Sequence, residues 1–206
     1  MKLICSNILI VLVLCSFIAN SQNSYIDSLQ RERQEFEDTL LTTDYLINKM
    51  ERAGIKALSY FPVDTSWVID GHLIKDKGKA FEMPTSTERK PKYRRYGWIC
   101  LQHDDQTFRL AAYQNLELKG KEYRNYLFVP FKDVNAPAST YGGGRYLELH
   151  RERGSKTITV DFNAAFNPYC VYSHRFSCPI TPEVNHLNFP IEAGEKNPVL
   201  KKSDNR

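Results

Sequence analysis

The sequence predicts an α+β fold that is mostly β, an antiparallel meander forming a curved sheet or small barrel with one or two N-terminal helices packed over it. Three observations carry this. Apolar residues recur at helical spacing between residues 24 and 52. From Leu58 to Phe162 the period changes to two, in short aromatic and β-branched runs separated by Gly, Pro, Asp and Asn. The connections between those runs are short, so sequence neighbours pair antiparallel, and such a sheet must curl or close to hide its edges.

Ahead of the domain, Lys2 precedes an apolar run from Ile8 through Leu14 that continues to Phe17 and Ile18 and gives way to Ala19, Asn20 and Ser21. This is the pattern of a cleavable signal peptide over residues 1–21, with cleavage before Gln22. The run is interrupted by Ser16 and falls short of the ~20 residues that span a bilayer. Val13 and Leu14 stand where lipid attachment at Cys15 needs small residues. The expected product is exported, periplasmic or secreted, with no transmembrane segment left after cleavage. Residues 22–206 then form one domain, long enough to bury a core.

Within that domain Ser24 and Asp27 resemble an N-cap and its partner. Ile26, Leu29, Phe36 and Leu40 form a stripe with Arg31, Glu32, Glu35 and Glu37 outside it, which predicts an amphipathic helix ending near Leu41. Thr43 and Asp44 predict a second, short start leading into Leu46, Ile47 and Met50, with Gly54 as a left-handed stop. Strands follow near residues 58–63, 67–74, 79–83, 96–103, 107–114, 126–131, 145–150 and 157–162. Asp104 with Asp105, Lys77 with Gly78, and Gly154 are read as hairpin turns. Residues 163–196 read as a long Cys/Pro loop and a C-terminal strand, and residues 197–206 as a tail. The loop contains Pro168, Pro179, Pro182 and Pro190, and segments that long inside a compact domain usually carry a function.

Composition removes several function classes. The formal charge is +4 with acidic and basic residues interleaved, and the one basic run, residues 89–95, reads as a solvated loop, so no nucleic-acid partner is expected. No Gly-x-Ser-x-Gly elbow, His-Glu-x-x-His or dinucleotide fingerprint occurs. His72, His103 and His150 share no ligand spacing. The oligomeric state and any cofactor are open.

Three of the five cysteines remain after cleavage. Cys100, beside Trp98, Ile99 and Leu101, reads as a core residue. Cys170 and Cys178 are disulfide candidates in an exported chain, and a bridge would close a loop of about nine residues and contribute about 2.5 kcal/mol. The alternatives are unpaired buried cysteines, a nucleophilic or redox thiol at Cys170, and a metal string of Cys170, His174, Cys178 and His186. Oxidation competes for those thiols, so no metal is expected.

Four stretches carry a family resemblance: Phe128-Val129-Pro130-Phe131-Lys132-Asp133; Thr140-Tyr141-Gly142-Gly143-Gly144-Arg145-Tyr146-Leu147; Asp161-Phe162-Asn163-Ala164-Ala165-Phe166-Asn167-Pro168-Tyr169-Cys170; and Cys178-Pro179 with Asn185. Together they resemble the family catalogued as domain of unknown function 1684, over roughly residues 25–196 including Ala193-Gly194-Glu195-Lys196. Phe166 stands where the family pattern has Tyr, and His186 where it has Arg. The resemblance implies no activity, because the family is named for the lack of one.

The candidate ligand-binding residues are Asp133, Tyr141, Arg145, Asp161, Asn163 and Asn167, polar groups at consecutive strand ends, where barrels place their mouths. Tyr141 to Arg145 reads either as an anion site or as a glycine turn bending into the strand that opens at Arg145, with Arg145 held by Asp133 or Asp161. Asp161, Asn163 and Asn167 read either as a base with orienting amides or as Asx groups satisfying loop backbone. The expected function is binding of a small polar or anionic molecule at that sheet end. An enzyme using the same cluster or an unbridged Cys170 is the alternative, and a structural or partner-binding module is a third.

Overall fold

A computed structural model describes the backbone of residues 2–201 and side chains from Gln22 onward. The side chains of the expected signal segment, Cys5 and Cys15 among them, and residues 202–206 lie outside the described residues.

Helix α1 spans Lys2–Thr42, so the chain is already helical at Ser24 and does not start there. No Gly or Pro interrupts that stretch, and nothing in it stops a helix once begun. The predicted end near Leu41 matches. There the Thr42 and Thr43 hydroxyls fold back onto the carbonyls of Asp38 and Thr39. The predicted stripe packs as expected: Leu40 and Phe36 sit in a cluster with Ile47, Ile55, Leu58 and Tyr172. Leu40 and Ile47, fully buried there, each contribute about 1.5–3 kcal/mol.

Helix α2 is Lys49–Ala53 and starts later than Thr43 and Asp44 suggest. Asn48 caps it, its side chain accepting from the N–H groups of Met50 and Glu51 while the Glu51 carboxylate accepts from the Asn48 N–H. Ile47, fully buried, is spent on the core ahead of the helix. Gly54 ends it with φ −82°, in the right-handed region and not as a left-handed stop.

The strands are β1 (Ile55–Ala57), β2 (Val68–Lys75), β3 (Ala80–Glu82), β4 (Lys92–His103), β5 (Gln106–Asn115), β6 (Tyr126–Phe131), β7 (Arg145–His150), β8 (Thr157–Asp161) and β9 (Val199–Leu200). The main sheet runs β7-β6-β5-β4-β2-β8, is antiparallel throughout, and curls into a half-barrel. The hairpin at Asp104 and Asp105 forms as predicted, with Asp104 at φ 49°.

Four expectations about connection and extent are corrected. Lys77 and Gly78 make no hairpin: β2 and β3 both pair with β4, end to end, Lys75 opposite Gly97 and Ala80 opposite Arg94, and the chain steps outward where β4 bulges between Arg95 and Gly97. Gly154 makes no hairpin between β7 and β8 either. β8 pairs with β2, Thr157 opposite His72 and Asp161 opposite Val68, so β7 and β8 are the two edges of the sheet and the Gly154 turn crosses the open seam between them. Residues 58–63 are extended with a single bridge, Tyr60 to Glu195, instead of a strand. The C-terminal strand lies beyond 196, as β9 paired with β1 in the predicted tail.

The concave face of the sheet holds the main core, where Trp67, Ile69 and Val160 meet Leu127, Leu147 and Phe162 from across the curl. The convex face carries a second, aromatic cluster of Met83, Tyr93, Tyr113, Phe128 and Tyr146, which the long segment after residue 163 covers with Cys178 and Phe176. Cys100 is half-buried and outside both clusters, correcting the core reading. Strand alternation gives the core to Ile99 and Leu101 and turns Cys100 the other way.

Candidate functional site

The predicted site residues separate into three groups. The first surrounds Arg145, which is 1% exposed although it opens a strand. Its guanidinium donates to the carbonyls of Ala193, Glu195 and Ile191 and, at 3.4 Å, to the Asp133 carboxylate. Asp133 in turn accepts from the Ile191 N–H at 2.7 Å, from Asn135 at 3.0 Å and from Thr140 at 3.4 Å. Burial pulls the Arg145 guanidinium down to about 10, against the charges of Asp133 and Glu195 that hold it up. The pair clamps residues 191–195 onto the end of β7.

Asn167 joins this group through Glu195, a residue the sequence reading did not single out. The Glu195 carboxylate accepts from the Asn167 N–H at 2.7 Å and from the Tyr172 hydroxyl. Burial raises its carboxyl to about 7, despite those two hydrogen bonds and the neighbouring Arg145. The Asn167 side chain donates to Tyr172 and to the Lys196 carbonyl.

Asp161 and Asn163 form the second group and do not reach Arg145. Asp161 accepts the Tyr25 hydroxyl at 2.7 Å and the N–H and side-chain amide of Asn163, while Asn163 brackets the Asp64 N–H and C=O. These contacts fasten α1 and the segment before β2 to the end of β8. A β7–β8 hairpin at Gly154 would have brought Asp161 beside Arg145, but β8 pairs with β2 and the seam separates Asp161 from the Arg145–Asp133 pair.

Tyr141 belongs to the third group, with Cys170 and Cys178. The three glycines after it form a turn: Gly144 donates to the Tyr141 carbonyl at 3.0 Å, and Thr181 donates to the Gly143 carbonyl at 2.9 Å. Gly144 has φ +93°, and a Cβ there would lie 2.5 Å from the Phe131 carbonyl oxygen, so only glycine delivers the chain into β7. Cys170 and Cys178 are free thiols in contact, the Cys170 N–H donating to the Cys178 sulfur at 3.2 Å.

A half-open depression of about 340 Å³ lies elsewhere, at the opposite end of the half-barrel where the seam opens. Leu73, Tyr96, Lys75, Arg151 and Lys156 line it together with the Gly154 turn. The buried Tyr96 ring forms its floor, with the Arg151 guanidinium 5.0 Å and the Lys75 ammonium 5.7 Å from the ring centroid. Among the described residues none of the three cations is ion-paired, and the Arg151 Nε is buried with no acceptor. These residues had a signal in the sequence. Lys75 follows the predicted second strand, Arg151 follows the seventh, and Lys156 precedes the eighth.

Two further depressions are less site-like. One of about 650 Å³ is lined by a single helix face, Asn23 to Gln34, and one of about 150 Å³ lies between α1 and residues 163–166. Among the described residues no helix is long and apolar enough to cross a membrane, and no group of three metal-ligating side chains occurs.

A family model described as "Protein of unknown function (DUF1684)" matches residues 53–196, leaving α1 outside a match that the sequence motifs placed from about residue 25. The solution NMR structure of an uncharacterized protein of Haloarcula marismortui is similar, at 30% identity and TM-score 0.64, over 86% of this chain and 96% of that one. No curated protein matches.

Proposed function

The chain belongs to the DUF1684 family of proteins of unknown function, and we propose that within that fold it binds a small anionic molecule with a flat or apolar portion at the seam of the half-barrel. One observation carries this reading: two cations flank the buried Tyr96 ring at a cavity that has no acidic lining residue among the described residues, and one of them, Arg151, keeps a buried Nε–H without an acceptor among them. A buried unpaired donor costs about 1–3 kcal/mol, which a bound carboxylate or phosphate oxygen would remove. The Tyr96 floor and Leu73 favour an apolar body behind the anionic group, and the volume suits a compact ligand. The ligand class is the one the sequence suggests, at the sheet end opposite to Arg145. The apolar leader before Gln22 supports export to the periplasm or beyond as the setting.

Thermal-shift titration tests the reading with inorganic phosphate, citrate, benzoate and phenyl phosphate. A ligand that occupies the native state raises the melting temperature by mass action. Benzoate or phenyl phosphate should shift it more than phosphate does, and the shift should vanish in the double variant Lys75→Gln, Arg151→Gln. Equal shifts in wild type and double variant, or none with any anion, reject the site.

A further inference from the structure

On the convex face, away from the seam cavity, the long loop brings two thiols together with two hydroxyl groups. Cys170 lies in a single 3-10 turn, Tyr169–Val171, and is half-buried, whereas Cys178 is 8% exposed. Cys178 is pinned in place: its N–H donates to the Ser86 hydroxyl at 3.1 Å, its carbonyl accepts the Ser86 N–H at 2.8 Å, and Pro179 bridges to Thr85. Its sulfur meets the Cys170 N–H. The Ser86 and Tyr141 hydroxyls face the Cys170 sulfur. One thiol is thus partly exposed with two hydroxyl-bearing side chains beside it, and the other is buried, immobilised and in contact with it.

We propose that Cys170 and Cys178 are a redox-active pair, Cys170 the attacking thiol and Cys178 the resolving thiol, acting on exposed disulfides of small thiols or peptides. In the first step the Cys170 thiolate, its proton released to water, attacks one sulfur of the substrate disulfide. The Cys170–substrate S–S bond forms, the substrate S–S bond breaks, and the first substrate thiolate leaves and takes up a proton. Cys178 then gives its proton to water and attacks the Cys170 sulfur. The Cys170–Cys178 bond forms, the mixed disulfide breaks, and the second substrate thiolate leaves and is protonated. The protein dithiol is oxidised by two electrons and the substrate is reduced to two thiols, and the reverse sequence oxidises a substrate dithiol.

The donors fit this division of labour. Contact with Cys178 first, and then with Ser86 and Tyr141, holds the Cys170 thiol below the ordinary thiol range against the opposing effect of burial, and so favours its thiolate. Cys178 is pushed up, chiefly because its proton is held toward Cys170. Tyr141 acts here as a positioning residue.

The test uses the full chain, reduced and freed of reductant, with the aromatic disulfide 5,5′-dithiobis(2-nitrobenzoate) followed by stopped flow. Two thionitrobenzoate equivalents should be released in a fast phase, leaving a Cys170–Cys178 bond visible in peptide maps, and the rate should level off above about pH 7. Cys178→Ala should release one equivalent and hold the reagent on Cys170, Cys170→Ala should lose the fast phase, and Tyr141→Phe should move the plateau to higher pH. The wild-type profile keeps the test valid even where a variant folds poorly. A rate still rising through the ordinary thiol range near ~8.5 overturns the proposal. So does a fast phase that survives Cys170→Ala, or a bridge left intact by about a hundredfold excess of reduced over oxidised glutathione, which marks a structural staple.

Discussion

The Asn185 side chain replaces a missing strand contact for Ala111: its carbonyl accepts the Ala111 N–H at 2.7 Å while its amide donates to the Ala111 carbonyl at 2.9 Å and to Pro130 C=O at 2.7 Å. β5 and β6 pair at Tyr113 and Phe128, and Pro130 has no N–H to extend the ladder. The carboxamide closes that gap from the long loop. Asn185→Ala strands one N–H and two carbonyls in the interior, at about 1–3 kcal/mol for each group left unsatisfied. The expected loss, about 3 kcal/mol after relaxation, would appear as a lower urea midpoint at unchanged slope. A variant within 0.5 kcal/mol of wild type, about the scatter of a surface substitution, would remove the bridging role.

Arg145 and Asp133 give a second stability prediction. Arg145→Met leaves the Asp133 carboxylate buried without its cation and releases three carbonyls of residues 191–195. Removing one member of such a pair costs about 3–5 kcal/mol. Because Arg145 is fully enclosed, anion binding at the seam should persist in any fraction that stays folded. Denaturant melts measure the first effect and titration with phenyl phosphate the second; a stable variant that no longer binds would move the ligand site back to Arg145.

The pH dependence turns on Glu195. Its carboxyl sits at about 7 in the folded protein against 4.5 for the free side chain, so the native state binds the proton more tightly than the unfolded chain does. Its contribution to stability is fully present below pH 4.5 and is lost as pH rises to about 7, a change of about 3 kcal/mol. Glu195→Gln lacks that titration. Subtracting its unfolding free energy from that of wild type, pH by pH, should give a curve falling between those values and flat beyond them. A difference that rises with pH would mean the carboxylate is stabilised as an anion by Arg145.

At the seam, Arg151→Gln should weaken phenyl phosphate binding by at least about tenfold, the loss of one charge-assisted hydrogen bond of about 1.5 kcal/mol or more. Stability should change little, because the guanidinium makes no ion pair among the described residues, and loss of its contact with the Tyr96 ring and its bond to the Arg124 carbonyl is offset by removing the buried, unpaired Nε–H. Isothermal titration and a thermal melt read the two separately. Lost stability with unchanged affinity would make Arg151 a structural residue.

Export predicts a mature N-terminus at Gln22, within α1 and ahead of the Tyr25 contact to Asp161. Intact mass of protein recovered outside the cytoplasm checks it, and retention of Met1 to Ser21 would contradict it.

Much of this fold was legible because the residues that decide it act locally. The alternation in β4 and β5, the Asp104-Asp105 turn and the α1 stripe each depend on neighbours a few positions away. Arg145 and Asp133 were legible as partners because they flank the connection between two pairing strands. What tertiary structure alone decided was pairing at a distance. Local turn chemistry at Gly154 and at Lys77-Gly78 fits a hairpin, but curling the sheet around one apolar core gives β8 to β2, which buries Ile158 and Val160 against Ile69, and β3 pairs with β4 beyond the end of β2. That choice opened the seam, placed Lys75, Arg151 and Lys156 around Tyr96, and withdrew Asp161 from Arg145. Glu195 and Asn185 stood in the family motifs, but nothing local gave their roles: each role is made by the segment after β8 returning across the sheet, where buried backbone groups left unpaired by the curl must find side-chain partners.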